Sequence, residues 1–169
     1  METLTGAAGT DSIIAKAAGN AFTITGTNAG SVDDGFTFTN IETLTGAAGT
    51  DSIIAKAGGN AFTITGTNAG SVDDGFTFTN IETLTGAAGT DSIIAKAAGN
   101  AFTITGTNAG SVDDGFTFTN IETLTGAAGT DSIIAKAGGN AFTITGTNAG
   151  SVDDGFTFTN IETLTGAAG

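Results

Sequence analysis

The sequence predicts an all-β protein, a parallel β-solenoid whose coils stack along one axis. Three observations predict it. One unit of 40 residues fills the chain, so that the segment beginning at Glu2 returns at Glu42, Glu82, Glu122 and Glu162. Short runs alternate apolar and polar residues, which is the period of a strand. Clusters of Gly, Asn and Asp separate those runs, and the chain has no proline. Units this alike pack mainly on their neighbours and build a quasi-one-dimensional stack. The units run 2–41, 42–81, 82–121 and 122–161, with a partial unit 162–169, and together form a single repeat domain. They differ only at Ala18, Gly58, Ala98 and Gly138. Natural repeats drift, so near-perfect copies read as a consensus or engineered array.

Taken in order, Thr3-Leu4-Thr5 is the first strand and Gly6-Ala7-Ala8-Gly9 the turn after it. Ser12-Ile13-Ile14-Ala15-Lys16 is the second strand, ended near Gly19-Asn20. Phe22-Thr23-Ile24-Thr25 and Phe36-Thr37-Phe38-Thr39 alternate most clearly. Between them lie the turn formers Asn28-Ala29-Gly30 and Asp33-Asp34-Gly35, residues that tolerate positive φ or bond their own backbone. No stretch has the length and period of a helix.

A shorter period sits inside the unit. Thr3 and Thr23, Thr5 and Thr25, Gly6 and Gly26, and Asn20 and Asn40 are each 20 apart. The expectation is therefore coils of about 20 residues, two per unit, giving a rod roughly 40 Å long at a strand spacing of about 4.8 Å. Leu4, Ile13, Phe22, Ile24, Phe36 and Phe38 then point inward. Asn20 and Asn40 form side-chain ladders with their copies at a corner. Glu42 falls where Phe22 falls in the other half-unit, so a bend at Asn40-Ile41 is expected to turn Ile41 inward and leave Glu42 at the edge. Asp34-Gly35 is also a hairpin signal, which leaves an antiparallel pairing of Phe22–Thr25 with Phe36–Thr39 open.

Composition narrows the functions. Seventeen Asp and Glu stand against four Lys, for a net charge of −13. An acidic surface disfavours nucleic acid and anionic membranes as partners. The chain has no Cys and no His, which removes thiolate chemistry and the usual acid–base group near neutral pH. No run of 18 apolar residues predicts a spanning helix. The N-terminus shows no signal-peptide pattern, and the site of action is not legible.

Gly6-Ala7-Ala8-Gly9-Thr10-Asp11-Ser12-Ile13-Ile14 resembles the nonapeptide G-G-x-G-x-D-x-U-x of RTX-type calcium β-rolls. The segment from Phe36 to Gly46 resembles repeats of large bacterial surface exoproteins (adhesins), whose stalks are parallel β-helices and whose place is extracellular or at the cell surface. The resemblance, with the crossover rule, implies a right-handed coil. It also implies a calcium role for Asp11, Asp51, Asp91 and Asp131. Ala7 stands where the pattern has its second Gly, and the motif comes once per 40 residues. The competing reading is a tight turn whose Asp bonds the backbone.

Enzyme chemistry needs unlike groups converging in a pocket, and a uniform stack offers rows of like groups, so no catalytic residue and no enzyme activity are expected. The leading expectation is a structural scaffold without a cofactor. Ice binding is the alternative: Thr3, Thr5, Thr23, Thr25, Thr43, Thr45, Thr63, Thr65, Thr83, Thr85, Thr103, Thr105, Thr123, Thr125, Thr143 and Thr145 form one outward Thr-x-Thr grid if coils are 20 residues long. That grid resembles the face of β-solenoid antifreeze proteins. End-to-end self-association, as in an adhesive stalk, follows from open strand edges at both ends of the stack.

Overall fold

The computed structural model describes residues 2–168, all in strands, turns and loops. The first unit contributes β1 (Glu2–Thr5), β2 (Ser12–Ile14), β3 (Ala21–Gly26), β4 (Ala29–Val32) and β5 (Phe36–Thr39). The second contributes β6 (Thr43–Thr45), β7 (Ser52–Ile54), β8 (Ala61–Gly66), β9 (Ala69–Val72) and β10 (Phe76–Thr79). The third contributes β11 (Thr83–Thr85), β12 (Ser92–Ile94), β13 (Ala101–Gly106), β14 (Ala109–Val112) and β15 (Phe116–Thr119). The fourth contributes β16 (Thr123–Thr125), β17 (Ser132–Ile134), β18 (Phe142–Gly146), β19 (Ala149–Val152) and β20 (Phe156–Thr159), and β21 (Thr163–Thr165) follows.

These strands make two sheets that enclose one core. The first runs β1-β5-β4-β3-β7-β11-β15-β14-β13-β17-β21, and the second β18-β19-β20-β16-β12-β8-β9-β10-β6-β2. The chain crosses from one sheet to the other at each corner, so the protein is a β-solenoid. Each unit supplies three wall elements: a Thr-Leu-Thr strand, a Ser-Ile-Ile strand and a three-stranded meander. They are laid on the two sheets alternately. Three is odd, so each unit starts on the sheet opposite to its predecessor.

The one variable position follows this alternation. Ala18 and Ala98 sit in turns that pass from the second sheet to the first. Gly58 and Gly138 sit in turns that pass from the first to the second, with φ of 118° and 98°. The sequence therefore repeats every 80 residues in register with the geometry.

Stacking is parallel at every junction between wall elements. Thr3 lies opposite Thr37, an offset of 34, and Ser12 opposite Thr43, an offset of 31. The repeat period is thus about 31 residues, which corrects the expected coil of about 20 residues, two per unit. The cause is β4. Ala29–Val32 reads as a turn, yet it is a strand that pairs antiparallel with both β3 and β5. Thr3 and Thr23 do share a sheet, but β5 and β4 stand between them. The alternative hairpin is removed for the same reason: Phe22–Thr25 and Phe36–Thr39 flank β4 instead of pairing with each other. Positive φ turns the two bends of the meander, 52° at Asn28 and 91° at Gly35. Gly30 is the central residue of β4 and lies opposite Phe38. A Cβ there would stand 2.5 Å from the Thr23 carbonyl oxygen and 2.7 Å from the Phe38 ring. The bare glycine lets the ring lie across the strand.

The alternation read from sequence fixes the core. Leu44, Ile53, Phe62, Ile64, Phe76 and Phe78 are buried, as are their copies in the inner units. Phe38 of the first sheet meets Phe76 of the second edge to face, with ring centroids 6.0 Å apart, and the next two unit junctions repeat this pair. Such aromatic pairs contribute about 0.5–1.5 kcal/mol beyond their burial. The bend at Asn40 (φ 53°) turns Ile41 into the core, as the misplaced Glu42 required. Leu4, on the outer strand β1, stays 41% exposed because no strand covers it.

Candidate functional site

The chemistry of the unit is concentrated at the corners, because among the described residues Glu2 is the only charged one in a strand. Asp51 is the centre of one corner and is fully buried. Its Oδ1 accepts the backbone N–H of Asn20 at 2.8 Å, and its Oδ2 accepts that of Ala47 at 3.0 Å. Its own N–H donates to Glu82 Oε2 at 2.8 Å. Its carbonyl accepts the N–H groups of Glu82 and Thr83. The other oxygen of that glutamate accepts from Asn68 Nδ2 at 2.8 Å. Asp91 and Asp131 repeat the arrangement. A buried carboxylate is costly alone and stable when N–H donors surround it. This corner ties three successive chain passes together. Gly46 permits it: a Cβ there would stand 1.9 Å from the Asn80 carbonyl oxygen.

A second corner pairs opposite charges. Lys56 Nζ lies 2.6 Å from Asp74 Oδ1, and Lys16–Asp34, Lys96–Asp114 and Lys136–Asp154 are the corresponding pairs. Asn60 Nδ2 donates to Asp74 Oδ2 at 2.7 Å and to Asp73 Oδ1 at 3.2 Å. The Lys136 ammonium, then the Asn140 amide, holds the Asp154 carboxyl below its ordinary range. The Asn140 amide, then the Ala141 N–H, does the same for Asp153. The hydrogen bond to Asp34 raises Lys16 above the usual lysine value. The Asn ladders expected at the corners are corrected here. The Asn20 class bonds these aspartates, while Asn80 and Asn120 bond the carbonyls of Gly46 and Gly86. The partner of each Lys lies 18 residues on, across a corner and two strands of the meander.

The predicted threonine grid divides between the sheets. Thr3, Thr5, Thr23, Thr25, Thr83, Thr85, Thr103 and Thr105 lie in the first sheet. Thr43, Thr45, Thr63, Thr65, Thr123, Thr125, Thr143 and Thr145 lie in the second. A single face of all 16 does not form, since alternate units present opposite faces. The closest groups join residues that the sequence reading kept apart. Thr83 and Thr85 lie opposite Thr117 and Thr119, with Oγ1 atoms 3.2 and 3.4 Å apart. Ser111, Ala109, Ser52 and Ile54 surround this patch on neighbouring strands. The outer faces are therefore uncharged fields of hydroxyls and methyls.

Asp11, Asp51, Asp91 and Asp131, the residues marked for calcium by resemblance, do not stack on one another. Asp11 and Asp91 stand at corners leaving the first sheet, and Asp51 and Asp131 at corners leaving the second. In the inner three, both carboxylate oxygens are engaged by backbone N–H groups. Among the described residues no three acidic side chains gather closely enough to hold a metal ion. Comparison with protein-family models, curated proteins and solved structures found no match to this chain.

Proposed function

We propose that the chain is a non-enzymatic structural rod, a consensus-like stalk module of the bacterial surface exoprotein type. One observation carries this reading: every unit joins the next through the same parallel register and the same buried carboxylate corner, so that length can be added without a new kind of contact. The charges serve the corners, and the resemblance of Phe36–Gly46 to exoprotein stalks points the same way. Each unit adds five strands shared between two sheets, which is about 12 Å of rod at a spacing of about 4.8 Å. Small-angle scattering on arrays of four, six and eight units tests it. A length that grows by about 12 Å per unit is expected. A radius of gyration that stays flat as units are added would overturn the reading.

A second reading is ice binding, favoured by the uncharged hydroxyl and methyl faces. On this reading two opposite faces bind, each with patches such as Thr83, Thr85, Thr117 and Thr119. Thermal hysteresis, or shaping of ice crystals at high protein concentration, tests it. Their absence removes ice binding and leaves the rod untouched.

A further inference from the structure

Inside the rod, each meander is covered by the Ser-Ile-Ile strand of the following unit. β3, β8 and β13 take β7, β12 and β17 in parallel, and in the first case Ala21, Phe22 and Thr23 lie opposite Ser52, Ile53 and Ile54. Two strands lack this partner. β18 is the outer strand of the second sheet at one end, and β2 is the outer strand of that sheet at the other.

The two ends are complementary in apolar and in polar terms. Ile24, Ile64 and Ile104 are each 1% exposed, whereas the equivalent Ile144 of β18 is 64% exposed. The backbone N–H groups of Asn20, Asn60 and Asn100 donate to Asp51, Asp91 and Asp131. Among the described residues the Asn140 N–H makes no such bond, and at the far end Asp11 Oδ1, the atom equivalent to those acceptors, receives no Asn N–H. One end thus has the spare donor and the other the spare acceptor. A backbone N–H donated to a carboxylate oxygen is a charge-assisted hydrogen bond, so a seam that joins the two is favoured.

We propose that a second copy of this chain docks end-on and continues the solenoid. Its β2 pairs in parallel with β18, placing Ser12, Ile13 and Ile14 opposite Ala141, Phe142 and Thr143, and its Asp11 carboxylate accepts the Asn140 N–H. This deepens the rod reading, on which it rests.

The first sheet adds a condition. Residues 162–169 repeat residues 2–9 letter for letter. Continuing the rod by its own repeat places the arriving β1 where β21 already lies, beside β17. The seam offers one slot to two identical strands, so one must leave. β21, held by three residue pairs against the four that hold β1, is the strand released, and the arriving β1 takes its place beside β17 in the register that joins Ser132 to Thr163 within one chain. Docking is therefore a strand exchange, and β21 restrains assembly until one copy of the segment is released.

Sedimentation velocity across a hundredfold range of concentration tests the proposal, in high salt to screen the acidic charge. The wild-type chain is expected to gain mass with concentration. Ile144→Asp changes a side chain that is exposed in the single rod but buried in the seam, and is expected to keep the chain monomeric. Leu164→Asp loosens β21 and is expected to lower the concentration of half-association by about tenfold, equivalent to about 1.4 kcal/mol. Circular dichroism checks that each variant keeps its strands. Wild-type and Leu164→Asp chains that both stay monomeric overturn the seam, as does an Ile144→Asp chain that associates like wild type. Weaker association by Leu164→Asp overturns the strand exchange. The rod itself is judged separately, by length per unit.

Discussion

Oδ1 of Asp51 lies 2.8 Å from the backbone nitrogen of Asn20, 31 residues earlier in the chain. The carboxylate reaches back one full pass and fastens the previous corner while its other oxygen closes its own turn on Ala47. Asp51→Ala leaves both donors without that acceptor inside a buried corner. The expected loss is about 2–5 kcal/mol, since charged hydrogen bonds contribute about 1.5–3 kcal/mol each. Asp11→Ala is the control, because no earlier Asn donates to it, and it costs less. Denaturant unfolding of both variants measures the difference, and equal losses contradict the assignment.

Glycines of one unit differ in what they permit. Gly46→Ala drives a methyl into the Asn80 carbonyl, with the Cβ 1.9 Å from its oxygen. That contact cannot relax without opening the corner, and a loss of about 3 kcal/mol or more is expected, in line with severe overpacking. Gly66, near the end of β8, has open space around its Cβ position and no positive φ. Gly66→Ala is expected to be neutral or to stabilise by about 0.4–1 kcal/mol through the unfolded chain. Thermal melts of the two single variants give the comparison; similar melting points contradict it.

The alternating turn position is also testable. Gly58 has φ 118°, a conformation that L side chains rarely adopt. Gly58→Ala is expected to destabilise by about 1–3 kcal/mol. The reverse change in the other class of turn, Ala98→Gly, costs about 0.4–1 kcal/mol, chiefly by loosening the unfolded chain. Chemical denaturation separates the two, and an equal effect of both changes means that the alternation carries no conformational demand.

Acid loosens the last meander. Asp154 has a lower pKa in the folded chain than its ordinary value of 3.8, chiefly because Lys136 donates to it. The unfolded chain then binds the proton more readily than the folded one. The stabilisation is fully present above that ordinary value and is lost as pH falls through the folded one. The pair is partly exposed, so the effect is small and salt reduces it. Lys136→Met is expected to flatten the fall of melting temperature with pH below about 4. An unchanged slope contradicts the assignment.

The strands that alternate cleanly, Phe22–Thr25 and Phe36–Thr39, were legible because alternation is the physics of a wall with one wet face. Ile41 was legible for a different reason: a carboxylate at Glu42 could not take the inward place, so the backbone had to bend. β4 was not legible. Ala29-Gly30-Ser31-Val32 looks like a turn because its central residue is bare, and the Phe38 ring that covers Gly30 comes from the neighbouring strand. With β4 missed, the coil length was missed as well. The buried role of Asp51 was open in the sequence as a backbone-bonding turn, but its second donor, Asn20, depends on which passes stack. The Lys56–Asp74 pair was hidden in the same way.

The odd count of wall elements governs how the rod can carry cargo. A dye or peptide attached at position 54 points away from one at position 94, since β7 and β12 belong to opposite sheets. Attachments at 54 and 134 share a side, five strand spacings apart, which is about 24 Å. A one-sided row of labels therefore demands modification of every second unit, and labelling all of them decorates both flanks of the ribbon in antiphase.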